Sequence, residues 1–184
     1  MSAAAQSAVE VETLIDALER SRDAYLQSIE SVPESAAGVK FEADGWSILQ
    51  VAEHIAAVEH GMLRGLQLDR KKSSPPDIAI DQRIASEIRS RAVKLQSPEM
   101  VRPKGRWLTL GDCVEAFRRS RANTIEFVRE AQKLREKSLT HPLLGEIDGH
   151  QAVLVIAGHT ERHILQIEEI KASAAYRAAA ESSK

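Results

Sequence analysis

The sequence has few aromatics, one cysteine, almost no net charge and no long apolar run. Phe, Trp and Tyr together make up 4% of 184 residues. Ala, Leu, Ile, Val, Glu and Arg dominate instead, which favours helices packed through aliphatic side chains over a sheet sandwich. The lone cysteine, Cys113, excludes an internal disulfide. Lys and Arg number 25 against 27 Asp and Glu, a formal net charge of -2, so no basic excess advertises a nucleic-acid partner. No apolar stretch approaches the roughly 18–20 residues a bilayer span needs, because "QAVLVIAGHTERH" turns polar almost at once; no membrane association is expected. The opening "MSAAAQSAVEVETLIDALER" carries acidic residues where a signal peptide needs an uninterrupted apolar stretch, and the expected location is the cytoplasm.

What is present is a globular mixture, 43% hydrophobic and 28% charged, in a chain long enough for one domain with a real core. We read one domain over residues 1–184, its ordered core at about 9–175. Apolar residues recur at helical spacing over Val9–Glu30, Trp46–Leu68, Leu110–Glu136 and Asp148–Ala175, with a shorter stretch at Asp81–Leu95. Asp44 or Gly45 opens the second long helix, and "TLGD" at Thr109–Asp112 has a capping-box arrangement with Asp in place of Glu. "SVPESAAGVKFEADG", "DRKKSSPPDIAID", "SPEMVRPKGRWLTLGD" and "SLTHPLLGEIDGH" are read as breaks, and the tail "AAAESSK" as fraying. No fixed-period repeat is present. The expected fold is all-α, a four-helix bundle whose long middle crossover carries a short extra helix.

Within the last long helix, "AGHTERHILQIEEI" puts His159 and His163 four residues apart on an otherwise apolar face with Ile156, Ile167 and Ile170. Four residues turn about 400°, so the two imidazoles project within about 40° of each other. Buried without partners they would be costly, whereas one cation satisfies an acceptor nitrogen of each. His54, flanked by Val51, Ile55 and Val58 on the second helix, is the best third ligand. The alternatives are core histidines satisfied by protein partners, or surface histidines. The glutamate of "HTERH" is Glu161, about 200° around the helix from His159, and Thr160 occupies the place of a zinc-protease base; a zincin-type protease is not expected. Three imidazoles leave coordination positions open, as catalytic sites do, and suit Zn, Ni or Fe alike. Gln50, one turn before His54, and Gln166, three residues after His163, are candidates to hydrogen-bond a ligand or a bound water.

Other residues have plainer readings. Cys113 lies near a helix N-terminus, where a thiol can become reactive, but a small buried residue is the ordinary explanation. His60 should leave the metal face; His141 and His150 read as surface or capping residues; Trp46 and Trp107 read as packing at the bundle ends. The "DRKK" run could attract an anionic substrate or thiol cofactor, but a solvated connection is the ordinary explanation, and the arginines of "FRRSR", Arg118, Arg119 and Arg121, are read as surface in the same way.

The stretches "DGWSILQVAEHIAAVEHGML", "SPEMVRPKGRWLTLGDCVEAFRRSR" and "HPLLGEIDGHQAVLVIAGHTERHILQI" resemble the DinB/YfiT-like superfamily of metal-dependent enzymes over most of the chain. The resemblance implies an up-and-down four-helix bundle with an unusual connection order and frequent homodimers. It also implies a divalent metal such as Ni or Zn, with His54, His159 and His163 on the three ligand positions. Members of that superfamily include S-transferases that use low-molecular-weight thiols such as bacillithiol or mycothiol, and a mycothiol-dependent maleylpyruvate isomerase. The expectation is therefore a metal-dependent enzyme acting on a small molecule. It is either a thiol S-transferase with metal-activated thiolate as nucleophile or a hydrolase using metal-bound water. A non-catalytic, metal-stabilised bundle serving interaction or sensing is the other class.

Overall fold

The computed structural model describes residues 3–68, 70–72, 75, 77–92 and 96–182. Four long helices carry the packing: α1 (Ala3–Glu30), α3 (Ile48–Gln67), α5 (Leu110–Glu130) and α6 (Gly149–Lys171). Between them lie α2 (Glu34–Ala37), α4 (Ile78–Glu87) and an antiparallel hairpin, β1 (Ser138–His141) with β2 (Gly145–Asp148). α7 (Ala174–Glu181) follows α6. The fold is the expected four-helix bundle. Its connection order is unusual, because α1 packs on α5 and α6, and α3 packs on the same two helices. Consecutive long helices α1 and α3 therefore face each other across the bundle, as do α5 and α6.

Local chemistry sets the helix ends. Ser47 and Gln50 form a capping box at the start of α3, so the helix opens there rather than at Asp44 or Gly45. Thr109 Oγ1 accepts the Asp112 N–H, the forward bond expected of "TLGD", and Asp148 with Gln151 forms a second capping box at α6. α5 stops at Glu130, short of the expected Glu136, because Ala131 turns extended and Lys133 adopts φ 58°, the left-handed region. The last expected helix is two helices: Ser173 accepts the Tyr176 N–H and starts α7 separately. The short crossover helix lies at Ile78–Glu87, earlier than read, with residues 93–95 of that reading outside the described residues. "SLTHPLLGEIDGH" is more than a break, since Leu139 pairs with Ile147 in the hairpin. The expected fraying tail is helical to Glu181, and residues 183–184 lie outside the described residues.

Two apolar clusters fill the bundle. One gathers Tyr25, Ile48, Val51, Ile55, Phe117, Ile167 and Ile170; the other gathers Leu14, Leu18, Met62, Leu66, Ile125, Val128, Val153 and Ile156. Between them along every long helix lies a polar residue: Ser21 on α1, Glu59 on α3, Arg121 on α5 and Thr160 on α6. Arg121 is fully buried, contrary to its reading as surface. Its five N–H groups are all used. Nε and Nη2 grip Glu59 at 2.7 and 2.9 Å, Nη1 reaches the Leu18 carbonyl and Ser21 Oγ, and Nη2 also donates to Thr160 Oγ1 at 3.0 Å. The charge survives burial because it is paired and fully bonded.

Arg121→Met strands the Glu59 carboxylate in the core and is expected to cost about 3–5 kcal/mol in urea denaturation. Adding Glu59→Leu should return much of that loss. An equal loss in single and double variants would show that the stranded charge is not its source.

Candidate metal centre

His54 on α3 and His159 and His163 on α6 meet where those two helices pack. Their ligand-capable nitrogens all lie within 4.8 Å of one another. His159 Nε2 is 3.1 Å from His54 Nε2 and 3.1 Å from His163 Nε2. Two outer contacts define the protonation. His54 Nδ1 lies 2.8 Å from the Val101 carbonyl oxygen, which can only accept, so Nδ1 carries the hydrogen and Nε2 a lone pair. His163 Nδ1 lies 2.8 Å from Gln166 Oε1, with the same consequence when that amide oxygen accepts. The Gln166 oxygen also receives Arg91 Nη1 at 3.4 Å, which fixes the amide's orientation.

Burial, then the neighbouring imidazoles, holds His159 and His163 well below the ordinary imidazole value; burial also lowers His54. All three are neutral at pH 7 and able to donate lone pairs. Two lone pairs, on His54 and His163, face one His159 nitrogen that has at most a single hydrogen to give. A cation at the meeting point resolves the conflict. Imidazole nitrogens about 2.0–2.1 Å from one metal sit roughly 2.9 Å apart at a right angle and roughly 3.3 Å apart at the tetrahedral angle. The two separations from His159 Nε2, each 3.1 Å, fall between these, and the three ligand atoms lie within 4.8 Å of one another. The donor set thus fits a divalent transition metal.

Around the nitrogens opens a cleft of about 1490 Å³ whose lining includes Trp46, Trp107, Met100, Arg119 and Arg162. Trp46 was read as end packing; its ring centroid is 4.9 Å from that of His54 and 6.4 Å from His163, nearly parallel to the latter. It packs against the core and walls the histidines at once. Beside the cleft, Gly158 on α6 admits the chain just after α4, for a Cβ there would collide with the Ile88 side chain, which lines the cleft. That close approach brings Arg91 to its bidentate pair with Glu169 and to Gln166.

Of the two glutamines proposed from spacing, Gln166 meets His163, whereas Gln50 has its Oε1 on the Ser47 N–H in the α3 cap. Thr160 is committed to Arg121, and Glu161 pairs with Arg89, so neither offers a protease base. Cys113 is buried, and burial pushes its thiol up to about 12, which removes it as a nucleophile. His60 is exposed at the cleft's edge; His141 also lines the cleft, its Nδ1 accepting the Leu143 and Leu144 N–H groups. His150 is 3.9 Å from Asp81, outside the cleft lining. In the "DRKK" run Arg70 lines the cleft and Lys72 pairs with Glu146, while Asp69 lies outside the described residues. Spacing also missed Glu53, a buried carboxylate beside His54 that grips the crossover loop. Burial pushes its carboxyl up, but three backbone N–H groups and Arg106 outweigh that and hold it below the usual glutamate range.

The bundle and its inward histidine triad define a class of helical protein built around an open three-nitrogen centre. The chain matches the DinB superfamily over residues 17–167 and belongs to it. Two solved structures share the fold. TT2238, described as a four-helix bundle protein, is 21% identical with a TM-score of 0.57, covering 86% of this chain and 98% of its own. YfiT from Bacillus subtilis, described as a probable metal-dependent hydrolase with an unusual four-helix bundle topology, is 16% identical with a TM-score of 0.59, covering 88% and 85%. No curated protein matches the chain. Among the described residues no helix is long and apolar enough to cross a membrane.

A paramagnetic ion such as Co²⁺ at the three nitrogens is expected to quench Trp46, which packs against two of the rings. In a fluorescence titration Trp46→Phe should remove the metal-dependent quenching and Trp107→Phe should leave it. The reverse pattern would place the ion elsewhere in the cleft.

Proposed function

We propose that the protein is a metal-dependent transferase that presents a low-molecular-weight thiol, as thiolate, to a small electrophilic substrate. The observation that carries this is the convergence of three neutral imidazole nitrogens on one point beside a large cleft, with no fourth protein ligand among the described residues. His54, His159 and His163 would hold a divalent metal, which would supply the Lewis acidity that lowers the pKa of a bound thiol or water. The chain itself does the positioning. Val101 and Gln166 fix two of the imidazoles, and Trp46 shields them from solvent. Arg119 and Arg162 favour an anionic group in the cleft.

Two features favour a thiol over water. The cleft, at about 1490 Å³, exceeds the roughly 300–1,000 Å³ of an ordinary small-molecule site and has room for a thiol and its acceptor together. Among the described residues its acidic lining is Glu42, Asp44 and Glu169, all exposed, and Glu169 is held in a bidentate pair by Arg91, so none is a buried carboxylate base for water. The hydrolase reading has one support, the description of the similarly folded YfiT as a probable metal-dependent hydrolase.

Protein purified without a histidine tag should carry about one equivalent of transition metal per chain, and His163→Ala less than about a tenth, with the helical circular dichroism unchanged. Loaded protein should consume a thiol and a model electrophile in parallel, and the variant should not. Ester or amide cleavage without thiol consumption would favour the hydrolase; less than a tenth of an equivalent after reconstitution of the wild type would overturn both readings.

A further inference from the structure

The crossover loop that walls the cleft is organised around one ion pair. Arg106 Nη1 donates to Glu53 Oε1 at 2.9 Å and to the Arg102 carbonyl at 2.8 Å; Nη2 donates to the Met100 carbonyl at 2.8 Å. The backbone N–H groups of Lys104, Gly105 and Arg106 converge on the same Glu53 carboxylate at 2.8, 3.0 and 3.1 Å. Gly105 at φ +73° makes that convergence possible, since a side chain is strained there. Three successive amides around one anion form a nest, and the carboxylate fills it.

This arrangement does more than tie down a loop. The carbonyls on both sides of Val101, those of Met100 and Arg102, are taken by Arg106, and the Val101 carbonyl between them accepts the His54 Nδ1–H at 2.8 Å. Glu53 directly precedes His54 on α3, so both ends of the loop's grip start from adjacent residues of one helix. A packing role alone would be met by an apolar residue, as at its buried neighbours Val51, Ala52 and Ile55. The side chain at 53 instead is a carboxylate, 2% exposed, whose hydrogen bonds among the described residues all go to residues 104–106.

We propose that Glu53 and Arg106 are positioning residues for the metal centre. They hold the Val101 carbonyl, the carbonyl holds His54 in its Nδ1–H form, and the Nε2 lone pair is thereby aimed at His159 and His163. The effect on affinity rests on the metal-binding reading above; the effect on the His54 tautomer does not. Glu53→Gln turns an accepting oxygen into an N–H group facing other N–H groups. Arg106→Lys offers one ammonium where a planar fork spans a carboxylate and two carbonyls. Neither substitution touches a histidine.

Two measurements test this on the full chain. Zn²⁺ affinity, by competition with a chromophoric chelator, should fall about 10–100-fold in each variant. In the double variant it should fall little further, because both changes act through one carbonyl. In metal-free protein, ¹⁵N ring spectra should show His54 as the single Nδ1–H tautomer in the wild type and as a tautomer mixture in the variants. Leu134→Ala, a core truncation in the other apolar cluster, should lower stability and move neither readout. Wild-type affinity together with an unchanged His54 tautomer in Arg106→Lys would overturn the proposal, and that variant decides should Glu53→Gln fail to fold. A wild type that takes up no Zn²⁺ would sink the metal reading, while the tautomer spectra still judge the latch.

Discussion

The buried guanidinium of Arg121 constrains everything else in the bundle. It is bonded to the Leu18 carbonyl and Ser21 on α1, to Glu59 on α3 and to Thr160 on α6, so one planar group touches all four long helices. Aliphatic side chains tolerate sliding by a fraction of a turn; a five-donor fork does not. Desolvating two charges offsets most of their attraction, so we read this layer as fixing register more than adding net stability. Thr160 lies between His159 and His163 in sequence. The rotation of α6 that delivers its hydroxyl to Arg121 therefore also turns the two histidines, about 100° and 60° away around the helix, towards α3 and the cleft.

The site then depends on which nitrogen of each ring carries the hydrogen. A neutral histidine is a donor at one nitrogen and an acceptor at the other, and an outer partner that can only accept decides between them. The Val101 carbonyl makes that decision for His54, and the Gln166 oxygen for His163. With burial holding the rings neutral, lone pairs point inward from both. A structural histidine cluster would be free to settle into a chain of donor to acceptor; here the outer contacts oppose such a chain and favour a shared cation.

What could be read from the sequence follows the range of the physics involved. Helical periodicity placed the four long helices, and the four-residue spacing of His159 and His163 put them on one face, because both signals are local. The environment of Ile55 and Val51 brought His54 to the same place, since a polar residue in an apolar stripe must find a partner across the helix interface. Arg121 was misread for the opposite reason. In "FRRSR" it looks like its exposed neighbours Arg118 and Arg119, and its partner Glu59 is 62 positions away. The Ser47–Gln50 capping box was legible as S-x-x-Q, and it shows why Gln50 serves the helix start instead of the metal. Trp46 escaped because a tryptophan that packs on a core and one that walls a site look alike in sequence. The hairpin was hidden by its brevity, four residues a strand beside a proline and a glycine.

The division of labour between helices and loops decides where specificity resides. His54, His159 and His163 stand on the paired faces of α3 and α6, whose register is set by the Arg121 layer, so the metal-facing geometry belongs to the bundle core. Much of the remaining lining belongs to the loop before Trp46, the segment after α4, the crossover loop and the hairpin turn. These segments have no periodic packing to satisfy and accept changes of side chain at little cost to the bundle. Glu53 and Arg106 join the two parts, since they fasten the loop that walls the cleft to the helix that carries a histidine. A change in that loop which preserved the Val101 carbonyl would alter what the cleft accepts and leave the centre intact. One which displaced the carbonyl would disturb the centre itself, whatever the substrate.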